Sequence, residues 1–251
     1  MLKEKIYIYT FYRFKDLKNI NHIKTKLDKF SKDKLILGTI LIAEEGINGT
    51  ISGGKNNLDL FITNIKKVLK IKKLSLKISK NQFIPFYRLK IRLKKEIVTL
   101  GDKLIKPEEV CGKHIHPRDW DKIINDKSYL IIDTRNNYEV NIGTFKNSFN
   151  PNMRSFRDFP KYIKDINMDK KQPIAMFCTG GIRCEKASSF LINNGFKNVS
   201  QLDGGIINYL EYKKSKKTNT WIGECFVFDN RVAVNNKLKK GSYEQCYGCR
   251  H

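Results

Sequence analysis

The segment Cys178-Thr179-Gly180-Gly181-Ile182-Arg183-Cys184 gathers residue types that make a sulfur atom reactive. Ile174 to Phe177, just before it, is apolar and reads as a buried strand. Glu185 to Asn194, just after it, places Ala187, Phe190 and Leu191 at helical spacing. The two glycines let the chain curl so that successive N–H groups point into one concavity. The helix adds the positive end of its dipole, and Arg183 adds a permanent cation with a planar donor fork. Thr179, Gly180, Gly181 and Ile182 are therefore expected to form an active-site loop around Cys178, which serves as a thiolate nucleophile or beside a bound oxyanion. The plain alternative is a structural cysteine on a tight turn, against which the coincidence of strand, cysteine, glycine pair and arginine weighs. Cys184 is a candidate resolving thiol for a persulfide or sulfenate on Cys178; packing as a small apolar residue is its equal alternative.

The elements that must hold this loop follow a βα alternation. Pro117-Arg118-Asp119-Trp120 starts a helix, and Tyr129 to Asp133 is a buried strand ending in Asp133-Thr134-Arg135. Val199 to Leu202 is a further strand, followed by Asp203-Gly204-Gly205 and a helix to Tyr212. Strands alternating with helices imply a parallel sheet covered on both faces, with ligands beyond the carboxyl ends of the strands. Cys178 stands at such an end.

The first half reads differently. Residues 5–12 form a strand, Leu17 to Phe30 a helix, Lys34 to Ala43 a strand, and Glu44 to Gly49 a turn-rich link before a short strand at Thr50 to Gly54. A helix from Asn57 carries Leu58, Phe61, Ile62, Ile65 and Leu69 on one face, and Leu74 to Ile78 is another strand. This β-α-β-β-α-β order is the ferredoxin-like, split βαβ pattern. Tyr87 to Ile97 then alternates, with Arg88, Lys90, Arg92 and Lys94 on one face of a strand. Such a stripe is either a solvated edge or a phosphate track beside the aromatics Phe83, Phe86 and Tyr87. The expected fold class is thus α+β followed by α/β. A ferredoxin-like basic domain covers 1–100, a linker 101–116, a parallel-sheet domain 117–213 and a cysteine-containing tail 214–251.

Charge supports a division of labour. The net charge is +24, but lysine abundance can follow from AT-rich coding alone, so its distribution is more telling than its total. Residues 1–100 carry 23 Lys+Arg against 8 Asp+Glu, residues 101–150 carry 8 against 8, and residues 151–251 carry 18 against 9. The positive field belongs mainly to the first domain, as expected if that half meets a polyanion.

These residues carry a family resemblance. Cys178 to Arg183 resembles the six-residue active-site loop of the rhodanese superfamily, Asp133 and Arg135 through Glu139 and Gly143 resemble its upstream Asp-x-Arg-x-x-x-Glu-x-x-x-Gly element, and Leu202-Asp203-Gly204-Gly205-Ile206 its closing motif. Related phosphatases use a loop one residue longer; this loop matches the sulfur-handling branch, in which the first cysteine carries a persulfide. Together with Ala43 to Thr50, Pro85 to Lys90, Lys95 to Gly101 and Cys225-Phe226-Val227-Phe228-Asp229, the whole chain is similar to the bacterial rhodanese-domain tRNA uridine hydroxylases. That resemblance implies tRNA as partner, molecular oxygen as co-substrate, and conversion of wobble uridine 34 to 5-hydroxyuridine. The residues alone reach only a thiol enzyme with a basic companion domain. Two other readings compete: a sulfurtransferase delivering sulfane sulfur to an acceptor such as tRNA, and a non-catalytic RNA-binding protein.

No flavin, haem or iron motif is visible. Cys225, Cys246, Cys249 and His251 could supply four zinc ligands, but a single C-x-x-C is a weak signal, and a reduced, partly disordered tail is the expectation. With 40% hydrophobic residues the chain can build ordinary cores, and no apolar run approaches the ~18 residues of a membrane span. The N-terminus lacks signal-peptide features, which together with six cysteines read as thiols suggests the cytoplasm. Oligomeric state is not readable from these features.

Overall fold

The computed structural model describes residues 5–166, 168–216 and 219–246. The chain divides into two compact units, Met1–Val98 and Thr99–His251.

The first unit comprises β1 (Ile6–Phe14), α1 (Ile20–Ser31), β2 (Ile36–Ala43), β3 (Gly46–Gly53), α2 (Lys55–Leu69), β4 (Ser75–Asn81) and β5 (Leu89–Leu93). The sheet order is β4-β1-β3-β2-β5. β5 runs parallel to β2, whereas the β1–β3, β1–β4 and β2–β3 pairs are antiparallel. This is the expected split βαβ arrangement with β5 added at an edge. Period-two alternation sends Tyr9, Phe11, Ile36, Ile40, Ile42, Ile47 and Ile51 to one face, where Ile23 and Leu27 of α1 and Leu58, Phe61, Ile65 and Leu69 of α2 cover them.

Two local expectations change. Residues 46–49 are not a link but the start of β3, in register from Ala43↔Gly46 onward. Glycine stands there because neighbours come close: a Cβ on Gly46 would meet the Arg13 backbone, and one on Gly49 would lie 2.8 Å from the Phe11 ring. The regular strand expected over 87–97 is limited to β5. Beyond it the chain turns to receive side chains from the β2–β3 hairpin: Glu45 Oε1 accepts the Ile97 N–H at 2.6 Å and Asn48 donates to the Ile97 carbonyl at 3.0 Å.

The second unit contains β6 (Lys113–Ile115), α3 (Pro117–Asn125), β7 (Leu130–Asp133), α4 (Asn137–Val140), β8 (Gly143–Phe145), α5 (Phe159–Asp165), β9 (Ile174–Phe177), α6 (Ile182–Asn193), β10 (Val199–Leu202), α7 (Gly205–Lys213), β11 (Trp221–Gly223), β12 (Cys225–Phe226) and β13 (Ala233–Val234). Its main sheet, β6-β10-β9-β7, is parallel throughout. Ile131, Ala175, Phe177 and Leu202 face a cluster built with Trp120 and Ile124 of α3 and Ile206, Tyr209 and Leu210 of α7. α5 and α6 meet through Phe159 and Phe190, ring centres 6.2 Å apart.

Residues 101–116 are more than the expected linker. β6 is an edge strand of the sheet, fastened to α6 by His114–Glu185 at 3.0 Å and by the Gly112 N–H on Ser188 Oγ at 2.9 Å. Nor are residues 221–238 of the expected tail loose. β11 pairs with β8, β12 with β13, and Trp221, Cys225, Val227, Val234 and Leu238 join the apolar cluster, which is enough buried surface to hold this stretch in place. No helix among the described residues is long and apolar enough to cross a membrane.

Candidate active site

Cys178 follows β9 directly, and the loop closes at Gly181, which caps α6 with φ 96°. The Gly181 N–H donates to Cys178 Sγ at 3.1 Å, and the backbone N–H groups of Arg183 and Cys184 also favour its anion. Thr179, Gly180, Gly181 and Ile182 thus form the turn that aims amides at sulfur, and a Cβ on Gly180 would meet open space. The loop is held from behind by α7. Ile206 and Ile207 donate their N–H groups to the carbonyls of Cys178 and Thr179 at 2.9 and 3.1 Å. Such an approach requires glycine at 205, where φ is +67° and a Cβ would fall on the Cys178 carbonyl and 2.8 Å from Gly181 N.

Burial, the largest single influence, pushes the Cys178 thiol upward. A hydrogen bond from the Cys184 thiol, the Arg183 charge and the two backbone donors outweigh it and bring Cys178 down to about 6. Cys184 moves the other way. Burial and the neighbouring Cys178 raise it well above an ordinary thiol, while Thr134 Oγ1, 3.6 Å from its sulfur, partly opposes the rise. The pair is therefore a thiolate and a thiol at neutral pH, adjacent and both buried.

Arg183 does not present its fork to the loop, as the sequence suggested. Both of its terminal nitrogens grip Glu139, at 2.6 and 2.7 Å, with the Glu139 side chain fully buried. Burial opposes the charge on each, yet their mutual attraction keeps Arg183 protonated and Glu139 ionised. Arg183 acts on Cys178 through its field and backbone rather than as an open anion receptor. Asp133 and Arg135 are likewise structural. Arg135, fully buried, pairs with Asp133 and donates to the carbonyls of Glu139 at 3.1 Å and Gly143 at 2.6 Å, so it organises the turn that presents Glu139. In the sequence Glu139 is legible only as part of the upstream motif; its pairing with Arg183 depends on α4 and α6 meeting in the fold.

Among the other candidates, Lys90 and Arg92 lie in β5, opposite in parity to Leu89, Ile91 and Leu93, which pack on the helix-covered core. The Arg88 carbonyl and Lys94 N–H continue the ladder to Gly38 and Ile42 at 3.1 and 2.9 Å, so the four cations keep their alternation. Cys225 is buried, and its thiol, pushed up to about 12 chiefly by burial, faces the Phe226 carbonyl at 3.6 Å. Cys246 is exposed, and Cys249 and His251 lie outside the described residues. Among the described residues no group of three His, Cys, Asp or Glu side chains is arranged to hold a metal ion.

Comparison with known proteins accounts for both units. Residues 6–97 match the UPF0176 acylphosphatase-like domain and residues 116–212 the rhodanese-like domain. The chain is 51% identical over 244 residues to the tRNA uridine(34) hydroxylase of Pelagibacter ubique, covering 97% of this chain and 80% of that protein. Among solved structures, a rhodanese-related protein from Thermoplasma volcanium shares 26% identity over 40% of this chain and 92% of its own, with TM-score 0.34. A rhodanese-like domain from Anabaena shares 17% over 44% and 78%, with TM-score 0.37.

Proposed function

The chain belongs to the tRNA uridine(34) hydroxylases, and from that membership we propose that it converts wobble uridine 34 of tRNA to 5-hydroxyuridine at the Cys178 loop. The observation that carries this reading is the loop's geometry: Cys178 stands at the carboxyl end of a parallel strand, receives the Gly181 N–H at 3.1 Å and begins the turn into α6, an arrangement that favours a thiolate.

The reaction replaces a C5–H bond with C5–OH. With molecular oxygen as the source of the atom, the second oxygen leaves as water, and two electrons and two protons are required. A thiolate and a thiol going to one disulfide supply the two electrons and one of the protons, and water supplies the other. Cys178 and Cys184 are such a pair, with Cys184 as the resolving thiol and an external thiol reductant restoring both. The first unit contributes tRNA binding through its positive field and the stripe of Arg88, Lys90, Arg92 and Lys94. The working compartment in this reading is the cytoplasm, where mature tRNA and reducing thiols coexist.

Mass spectrometry of tRNA nucleosides from cells whose only copy carries Cys178→Ser tests the assignment. Loss of 5-hydroxyuridine and its derivatives is expected. Their persistence at the level seen with the unaltered protein overturns it, and loss of a thiolated nucleoside instead turns the reading to sulfur transfer.

A further inference from the structure

The stretch Trp221–Asp229 lies beyond the residues that match the rhodanese-like domain, yet it reaches the catalytic loop. Cys225 and Val227 are buried in the apolar cluster. Phe226 and Phe228 alternate with them and meet other partners. The Phe226 and Phe228 rings contact edge to face, centres 5.1 Å apart, and Tyr138 meets Phe226 in the same manner at 5.2 Å. The Arg183 guanidinium stands 5.8 Å from the centre of the Phe228 ring. The turn behind them is fastened by the buried Asp229–Arg231 pair at 2.6 Å and by the Val227 N–H on the Val232 carbonyl at 2.8 Å. A row of three aromatic rings therefore starts on α4 with Tyr138 and ends against the arginine of the active-site loop.

Its outer members are open to solvent: Phe228 is 62% exposed and Tyr138 47%. Leaving apolar ring surface in water is unfavourable, and covering it on binding is correspondingly favourable. The charge in contact with the row is already matched, since Arg183 is paired with Glu139. The row thus offers π faces without an open cation, which suits a nucleobase rather than a phosphate.

We propose that Tyr138, Phe226 and Phe228 form a stacking platform for unpaired bases of the tRNA anticodon loop, holding uridine 34 out of its stack beside Cys178. The proposal rests on the tRNA reading given above. An enzyme that works on a base must take it out of the stack, and single-stranded RNA is recognised largely by bases splayed onto aromatic side chains. Phe228 and Tyr138 supply the replacement stacking surface, and Phe226 fixes the angle between them.

The test uses the full chain and a tRNA transcript carrying fluorescent 2-aminopurine at position 34, with Cys178 thiolate absorbance as a check on the loop. Binding of the unaltered protein should quench the probe. Phe228→Ala should lose most of the quenching and bind ~10-fold more weakly, within the range for one aromatic–base stack. Tyr138→Ala should act in the same direction, and Phe228→Trp should restore both signals where Phe228→Leu does not. Quenching and affinity unchanged in both alanine variants would overturn the platform while leaving the tRNA reading standing. Equal rescue by Leu and Trp would overturn it too, because the ring would then be plain apolar cover. An unaltered protein that fails to bind the same transcript with uridine restored at position 34 removes the tRNA reading and the platform with it.

Discussion

Replacing Cys184 separates two jobs that the structure assigns to one thiol. Its S–H is the largest influence lowering Cys178, ahead of the Arg183 charge and the backbone donors, and all of them work against burial. Cys184→Ala removes that donor while keeping the small apolar volume, so the Cys178 pKa rises. A thiol is neutral below its pKa and ionised above it. With a pKa of about 6 roughly 90% is thiolate at pH 7; were the value to return wholly to 9.0, about 1% would be. A full return to 9.0 would thus mean a ~100-fold loss of thiolate at neutral pH, and Cys184→Ala should move Cys178 in that direction, with Arg183 and the backbone donors still opposing burial. Cys184→Ser retains an O–H that can donate to the same sulfur, so its titration should stay near that of the unaltered protein. Neither variant can close a disulfide with Cys178. Thiolate ultraviolet absorbance against pH, differenced against Cys178→Ser, measures the first effect; tRNA hydroxylation measures the second. An alanine titration curve superimposed on the unaltered one would refute the assigned hydrogen bond. Full hydroxylation by Cys184→Ser would refute the resolving role and leave Cys184 only as a tuner.

Four further outcomes follow from the same geometry. Arg183→Met or Glu139→Gln alone leaves a buried charge unpaired and should cost about 3–5 kcal/mol, whereas the double variant should cost much less than their sum in chemical denaturation. Gly205→Ala forces a Cβ into the Cys178 carbonyl at a positive φ and should lose about 1–3 kcal/mol, along with the depressed Cys178 titration; an unperturbed pH profile would show that α7 does not brace the loop. Because folding lowers the Cys178 pKa, its ionisation contributes stability that is complete above about pH 9 and lost as pH falls through about 6. The stability difference between the unaltered protein and Cys178→Ser should therefore grow across that interval. Changing Arg88, Lys90, Arg92 and Lys94 together to Gln should weaken tRNA binding and flatten its log–log salt slope by up to about 3 in filter-binding titrations, with Cys178 titrating as before; equal slopes would move the RNA off this stripe.

What the sequence revealed, and what it hid, divides along a physical line. Cys178, its glycine pair and Arg183 are consecutive, so their joint meaning is local: a strand, a curl and a helix start can be read from neighbouring residues. The same holds for the alternation at Leu89 to Leu93 and for the helical stripe at Leu58 to Leu69, which the core of the first unit confirms. The misreadings arose where a local signal had a non-local cause. Gly46 and Gly49 look like turn residues, yet they are glycine because the Arg13 backbone and the Phe11 ring, more than thirty positions away, leave no room. Arg183 reads as a cation aimed at the loop, whereas Glu139, 44 positions earlier, occupies its fork. The fate of Cys225 to Phe228 was hidden for the same reason. Period two told which residues share a face, but not that one face would join the core beneath Trp120 and Tyr209 while the other would meet Tyr138 and Arg183. A catalytic sulfur can be recognised from its immediate neighbours because they ionise it. The aromatic row proposed to receive its substrate is assembled from Tyr138 of α4 and from Phe226 and Phe228, much later in the chain, and it becomes visible only when the chain has folded.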